Sequence, residues 1–199
     1  MNTTTLNTLT TRVPASNGKR SSLLKLYLIR GLLAVAWAAI FASAHATLDA
    51  LAITLLVIYP LIDAVSSLID YRANPSGSER RVTAFNGTLS SLAAIAMGVA
   101  GGIGAAAALT VFGAWAVVSG TAQLTVGVRR RGAELGKQWP MLIAGGLSFL
   151  VGISYVIRAA GEQPSLDVLS VYATGGGVFF IVQAALLARR ARQQRTAIG

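Results

Sequence analysis

Long apolar stretches separated by short polar connections dominate this chain. Each of six stretches is long enough to cross the roughly 30 Å hydrocarbon core of a bilayer as a helix, which takes about 20 residues. A backbone in lipid has to satisfy its own hydrogen bonds, so the pattern predicts membrane-spanning helices. The predicted spans lie near residues 23–44, 48–69, 83–101, 104–128, 139–160 and 165–188.

The connections between these spans alternate in charge. Fifteen of the seventeen Lys and Arg residues fall into four clusters, and the other three connections hold few charges, among them Asp49 and Glu162. An excess of Lys and Arg in short connections marks the cytoplasmic side of a membrane protein. We therefore predict six crossings with both termini in the cytoplasm. The clusters are Arg12/Lys19/Arg20/Lys25, Arg72/Arg80/Arg81, Arg129/Arg130/Arg131/Lys137 and Arg189/Arg190/Arg192/Arg195.

Composition supports an all-α integral membrane protein. The chain is 54% hydrophobic and 12% charged, and an ordinary soluble domain has about twice that charged fraction. The net charge of +10 raises the question of nucleic-acid binding, but the charges lie at the ends of apolar helices, where orientation and attraction to anionic lipid explain them. We expect the bilayer, with anionic lipids at its cytoplasmic face, as the partner, and no nucleic acid. Cysteine is absent, which excludes disulfides and cysteine metal sites.

An internal repeat divides the predicted membrane domain into three helical hairpins. A shift of about 56 residues aligns Arg30-Gly31 with Asn86-Gly87 and Asp63 with Ser119, and a looser third copy begins at Ala144-Gly145. A fixed period indicates assembly from repeated supersecondary units. We expect a disordered cytoplasmic tail at 1–22, a six-helix domain at 23–191 with hairpins at about 23–72, 80–131 and 138–191, and a basic cytoplasmic tail at 192–199.

The stretch IRGLLAVAWAAIFASAHATLDALAITLLVIYPLIDAVSSLID resembles the repeat of the HdeD-like membrane proteins, a bacterial family of short repeated hairpins. The features shared with that repeat are Arg30-Gly31 early in the first helix and Asp63 late in the second. The resemblance extends from Leu23 to about Ala191 and implies an inner-membrane location and a role in acid or envelope stress. Asn86 and Ser119 depart from the pattern, because a charged pair would be expected to recur there.

The first span has a second interpretation as a cleaved signal peptide. Basic residues precede its apolar run, and Ala44-His45-Ala46 resembles a small-x-small cleavage site. However, residues 23–44 are long for a signal core and contain Arg30, and cleavage would remove half of one repeat unit. We favour a retained helix.

Arg30 and Asp63 form the sharpest local feature. Arg30 lies seven and Asp63 six residues from the predicted cytoplasmic end of its helix, which places both about 10 Å deep at 1.5 Å of rise per residue. A lone charge at that depth is costly, so ionisable residues in spans usually pair or face a cavity. We predict a direct ion pair that clamps the first hairpin. The alternative is a proton or ion relay through Asp63.

Small and polar residues suggest how the helices pack. Membrane helices associate through close backbone approach and interhelical hydrogen bonds, and three glycines recur every seven residues in the fourth span. The polar residues in the spans are compatible with a small polar pocket and also with separate contacts. The packing glycines are Gly113, Gly120 and Gly127, and the pocket candidates are Asn86, Ser119, Gln123 and Gln183, the last near the Asp63 position of the third copy.

Catalytic motifs are missing from the sequence. With one His and no Cys, most catalytic constellations cannot be assembled, and we expect no enzymatic activity, cofactor or metal. His45 lies at a predicted outer turn, where a solvated side chain is favoured over a pH sensor. The leading interpretation is a stress-related membrane protein of the HdeD-like type, and the rival is a small transporter or channel around Asp63.

Overall fold

The computed structural model describes residues 14–73, 78–129 and 139–196. These residues form six α-helices and no strand. Each helix contains an apolar segment of 21–25 residues, long enough to cross a membrane. The helices are α1 (Pro14–Ala44), α2 (Ala50–Ala73), α3 (Ser78–Ile103), α4 (Ala105–Arg129), α5 (Trp139–Ala159) and α6 (Asp167–Thr196).

The helix boundaries follow the predicted spans and extend beyond several of them. Helix α1 begins at Pro14, inside the segment 1–22 that we expected to be a disordered tail, and residues 1–13 of that segment lie outside the described residues. Helix α6 runs to Thr196 through most of the predicted basic tail 192–199. Residues 130–138, which include part of the third basic cluster, and residues 197–199 also lie outside the described residues.

Short local signals end and begin the helices. The Asp49 side chain accepts a hydrogen bond from the backbone N–H of Ala52 at 2.9 Å, which satisfies one of the free donors in the first turn of α2. A single residue, Gly104, separates α3 from α4, and its φ of +147° lies in a region that a side chain rarely adopts. The chain can therefore reverse there within one residue.

The bundle is apolar on its surface as well as in its core. Large aliphatic side chains remain highly exposed, including Ile103 and Val171 at 74% and Ile95 and Ile157 at 68%. Soluble monomers rarely expose extended apolar patches, whereas helices in a bilayer present such side chains to lipid. The six helices therefore form a multi-pass membrane protein.

The helices form a closed ring in which each packs against its sequence neighbours and α6 returns to α1. The closest packing joins α2 to α3, α4 to α5, and α6 to α1. These pairs link helices of different predicted hairpins, so the predicted hairpins are not the most tightly packed units. The reason is the position of the small residues, which line the contacts between hairpins and allow the backbones to approach there.

Glycines bring α4 and α5 into backbone contact. A Cβ added at Gly120 would lie 2.6 Å from the Gly145 carbonyl oxygen, and one at Gly113 would lie 2.7 Å from the Gly152 carbonyl oxygen. Both distances are too short for any side chain. Of the three predicted packing glycines, Gly113 and Gly120 thus lie at this helix contact, and Gly127 lies against Leu142 of α5.

The two ends of the bundle differ in character. We call the end that holds residues 45–49, Gly104 and 160–166 the hairpin end, and the end that holds Arg72, Arg80, Arg129 and Arg189 the arginine end. The most deeply buried large side chains lie between the bundle centre and the hairpin end and fill that half. They are Phe41, Leu56, Met97, Leu109, Phe112 and Leu169.

Candidate ligand site

The structure places Arg30 of α1 and Asp63 of α2 in direct contact in the arginine half of the bundle. Arg30 Nη2 donates to Asp63 Oδ1, and the two side chains are 20% and 18% exposed. The guanidinium carbon also lies 4.8 Å from the centroid of the Phe180 ring, a cation–π distance. The pair therefore ties α1 to both α2 and α6.

The second carboxylate oxygen of Asp63 is satisfied by α3. Asn86 Nδ2 donates to Asp63 Oδ2 at 2.6 Å, and Ser90 Oγ donates to the same oxygen at 2.8 Å. Asn86 also donates to Ser67 Oγ at 2.9 Å, and Trp115 Nε1 donates to Ser90 Oγ at 3.1 Å. The network joins four helices and compensates the carboxylate fully, an arrangement suited to a clamp.

A cavity of about 320 Å³ lies beside the ion pair. Its polar lining residues are Arg30, Asp63, Ser119, Gln123 and Ser148, and apolar and aromatic residues of α1, α2, α4, α5 and α6 form the rest. Cavities of this size and mixed lining commonly hold small molecules. The aromatic lining residues are Tyr59, Trp115, Tyr155, Tyr172, Phe179 and Phe180.

The four predicted pocket residues separate in the structure. Ser119 and Gln123 line the cavity, Asn86 bonds to Asp63 from α3, and Gln183 does not line the cavity. Ser119 is buried, with a relative exposure of 7%, and its Oγ has no hydrogen-bond partner among the described residues. Such a group is costly to bury, so it marks a place where a ligand atom would gain a hydrogen bond.

An aromatic cluster that the sequence analysis did not single out closes the cavity toward the hairpin end. Tyr59 lies 5.6 Å from Phe112 and 6.0 Å from Trp115, measured between ring centroids, and Tyr172 lies 5.4 Å from Phe112 and 6.2 Å from Tyr155. The contacts to Trp115, Phe112 and Tyr155 include edge-to-face pairs, the geometry that aromatic quadrupoles favour. The sequence did hold one sign of this cluster, because the same 56-residue shift that aligns Asp63 with Ser119 also aligns Tyr59 with Trp115.

Metal-ligating residues are scattered over the part of the chain that the structure describes. No group of three or more His, Cys, Asp or Glu side chains in those residues could hold a metal ion. The ring of His45 lies at the hairpin end, with Nδ1 3.2 Å from the Phe41 carbonyl oxygen. His45 is therefore remote from the Asp63 cavity.

Comparison with known proteins gives one family match. Residues 85–157 match the model of a family described as a short repeat of unknown function (DUF308). The match covers most of α3, all of α4 and most of α5, and so includes the glycine contact between α4 and α5. No curated protein and no solved structure matches the chain.

Proposed function

We propose that this protein is a non-enzymatic, membrane-embedded binding protein whose ligand site is the cavity beside Arg30 and Asp63. The observation that carries this proposal is the cavity itself, whose lining includes Ser119, a residue with no hydrogen-bond partner for its hydroxyl in the described part of the chain. Because the Asp63 oxygens already have three partners, the ion pair acts as a fixed wall of the site. The single His and the absence of Cys support the proposal that the site binds rather than catalyses.

The proposed location is the bacterial inner membrane, with both termini and the arginine end in the cytoplasm. The four basic clusters support this orientation, since Lys and Arg accumulate in cytoplasmic connections. The same residues would attract anionic headgroups at the inner surface. In this orientation the Arg30–Asp63 wall lies in the cytoplasmic half of the bilayer, and the cavity extends from there toward Tyr155 and Val171 nearer the hairpin end.

The proposed biological role is in acid or envelope stress, as in the HdeD-like proteins. Its support is the resemblance of residues 29–70 to the HdeD-like repeat, together with the short-repeat match at residues 85–157. The two stretches cover the predicted first hairpin, the second, and part of the third. The proposal is that ligand binding in the cavity serves this role.

Complementation of a deletion strain tests both parts of the proposal. Survival after acid challenge is compared for strains that carry the wild-type gene, Gly176→Leu or Gly102→Leu, at equal membrane levels. A Cβ at Gly176 would face the Tyr59 hydroxyl at 3.7 Å across the cavity lining, whereas a Cβ at Gly102 would meet no atom within 4 Å. We expect rescue by wild type and Gly102→Leu and failure of Gly176→Leu. Equal rescue by all three genes would refute the cavity as the functional site. If the deletion strain survives the acid challenge as well as its parent strain, the stress role is refuted.

A transporter is the second candidate, because the cavity reaches Asp63 and Gly175-Gly176 within the membrane. Broken helices with glycines line the substrate path of many transporters. Fully buried side chains, including Phe41 and Phe112 at 0% exposure, pack the hairpin half, which favours binding over conduction. Proteoliposomes distinguish the two: proton flux abolished by Asp63→Asn would support transport, and flux equal to empty vesicles supports binding.

A further inference from the structure

We propose that the cavity takes a neutral amphiphile from the bilayer, which enters between α5 and α6 and places a hydroxyl or carbonyl group at Ser119 and Gln123. This inference rests on the proposed binding function and specifies the chemical class of the ligand. It starts from glycine contacts that recur at matching sequence positions of the three predicted hairpins.

Three close helix contacts define matching positions in the three predicted hairpins. In each, a glycine early in the first helix of one hairpin approaches a backbone carbonyl of the second helix of another. The distances from an added Cβ to that oxygen are 2.8 Å for Gly31 and Gly177, 3.8 Å for Gly87 and Ala64, and 2.9 Å for Gly145 and Gly120.

The residues that directly precede the contact residues differ among the three hairpins. Their side chains become smaller from the first hairpin to the third. In the first helices the residues become smaller and less polar, and in the second helices the carboxylate becomes a hydroxyl and then a hydrogen. The first-helix series is Arg30, Asn86 and Ala144, and the second-helix series is Asp63, Ser119 and Gly176. This register places Gly176, not Gln183, at the third Asp63 position.

The cavity lies where these side chains are missing. At the α2–α3 contact, Asp63 is bonded by Asn86 and Ser90. At the α4–α5 contact, the matching Ser119 has Ala144 as the counterpart of Asn86, and an alanine side chain can form no hydrogen bond. Ser119, Ala144 and Gly176 all line the cavity. A ligand group therefore occupies, at the α4–α5 contact, the place that the Asn86 amide occupies at the α2–α3 contact.

The charges in the wall select a neutral ligand. Arg30 and Asp63 neutralise each other, and no other Lys, Arg, Asp or Glu among the described residues lines the cavity. A charged ligand would add an uncompensated charge within the membrane, which is strongly unfavourable. The Ser119 hydroxyl and the Gln123 amide can both donate and accept, so a hydroxyl or carbonyl oxygen suits them.

The access route lies between α5 and α6, the neighbouring helices with the least extensive packing. Tyr155 Oη donates to the Val168 carbonyl at 2.7 Å, and Ser148 Oγ lies 3.0 Å from Tyr172 Oη, which holds the two helices together toward the hairpin end. On the side of these bonds away from the hairpin end, Leu147 of α5 and Gly175 of α6 line the cavity; Leu147 is 57% exposed, and Gly175 is exposed as well. The rim is therefore apolar and faces lipid.

The volume bounds the size of the ligand. At about 30 Å³ for a water-sized group, a cavity of about 320 Å³ holds roughly ten non-hydrogen atoms. A medium-chain alcohol fits this bound, with its hydroxyl toward Ser119 and its chain against the aromatic wall. Longer chains extend through the rim into the bilayer.

Trp115 provides a direct probe, because it lines the cavity. The full chain with Trp37 and Trp139 replaced by Phe is placed in nanodiscs and titrated with 10-bromo-1-decanol, whose bromine quenches tryptophan fluorescence. We expect saturable quenching that excess 1-decanol reverses. Gly176→Leu should abolish the saturable component, Gly102→Leu should retain it, and Ser119→Ala should weaken the affinity roughly two- to tenfold, as for the loss of one hydrogen bond.

Three probes of the same length test the ligand class. They are 1-bromodecane, without an oxygen, ionised 10-bromodecanoate, and 10-bromodecyl-trimethylammonium. Saturable quenching by the alcohol in preference to all three supports the proposal. Non-saturable quenching by every probe, unchanged by Gly176→Leu, would overturn it. Tighter binding of either charged probe would overturn the neutral-ligand assignment and leave the proposed binding function standing.

A second measurement uses the wild-type chain, so that the proposal does not depend on how the tryptophan variants fold. Radiolabelled 1-decanol is equilibrated with nanodiscs that contain the protein and with empty nanodiscs. We expect saturable binding of about one molecule per chain above the partitioning into lipid. Binding equal to that of empty nanodiscs would overturn the proposal.

Discussion

Replacing Asp63 by Asn tests the clamp that forms the wall of the cavity. The substitution keeps an oxygen that can accept from α3 but removes the negative charge that compensates Arg30. Removing one partner of a buried ion pair costs about 3–5 kcal/mol, because the other charge remains without compensation. The two side chains retain about a fifth of their exposure, which places the expected loss at the lower end, about 3 kcal/mol.

The assay is thermal unfolding in a mild detergent, followed by tryptophan fluorescence. For a chain of this length, a loss of 3 kcal/mol corresponds to a decrease in Tm of about 6–12 °C. The double variant Arg30→Gln/Asp63→Asn removes both charges and keeps hydrogen-bonding groups, so it should recover at least half of the loss. Glu162→Gln, at an exposed position of the hairpin end, is the matched control and should change stability by less than about 0.5 kcal/mol.

Two results would refute this reasoning. If Asp63→Asn unfolds within 1–2 °C of wild type, a shift well below that expected from a broken pair, Arg30 and Asp63 do not clamp the bundle. If the double variant loses as much stability as the two single variants lose together, the loss does not come from an uncompensated charge. The first result would also remove the fixed wall on which the proposed ligand site depends.

Two further substitutions test the helix contacts. Gly120→Ala should destabilise the bundle by more than about 2 kcal/mol or prevent its assembly, because the new Cβ would lie 2.6 Å from the Gly145 carbonyl oxygen, whereas Gly102→Ala has free space and should be neutral or stabilise α3 by up to about 1 kcal/mol. Thermal unfolding in detergent decides this, and equal stability of the two variants would refute the close contact. Tyr155→Phe should cost about 1 kcal/mol, because it removes the hydrogen bond to Val168 between α5 and α6, and an unchanged Tm would indicate that this bond contributes nothing.

The spans and the Arg30–Asp63 contact could be predicted because each depends on local pattern and membrane depth. A run of about twenty apolar residues predicts a membrane-spanning helix whichever helices it packs against. Equal depth on antiparallel helices brings two opposite charges to one level, and the cost of a lone charge favours contact between them. Neither inference requires knowledge of the arrangement of the six helices.

The arrangement itself could not be predicted, because repeat alignment identifies units without showing which units touch. The matched glycines Gly31, Gly87 and Gly145 have their closest contacts with other hairpins, where small residues lie on both sides. Sequence proximity favoured the pairs joined by short outer turns, but backbone approach favoured the pairs between hairpins. The recurrence of a glycine at the same position of each copy, Gly31, Gly87 and Gly145, was the sequence feature that indicated these close contacts.

The sequence left a small polar pocket and separate contacts as alternatives and could not decide between them, because the cavity is created by absent side chains. Ala144 and Gly176 have no distinctive chemistry, and only their register against Asn86 and Asp63 shows what they lack. Ser119 and Gln123 were recognised as polar candidates and line the cavity, whereas Gln183, which was included through the looser third copy, is not among the lining residues.

The orientation of the chain in the membrane is the claim that places the Arg30–Asp63 wall of the cavity in the cytoplasmic half, and single-cysteine labelling tests it most directly. The chain has no native cysteine, so Thr47→Cys and Glu162→Cys at the hairpin end, and Arg72→Cys and Arg192→Cys at the other, can be compared in intact cells with a membrane-impermeant maleimide. We predict labelling of Thr47→Cys and Glu162→Cys in intact cells, and of Arg72→Cys and Arg192→Cys only after the inner membrane is permeabilised. Labelling of Arg72→Cys or Arg192→Cys in intact cells would contradict the account.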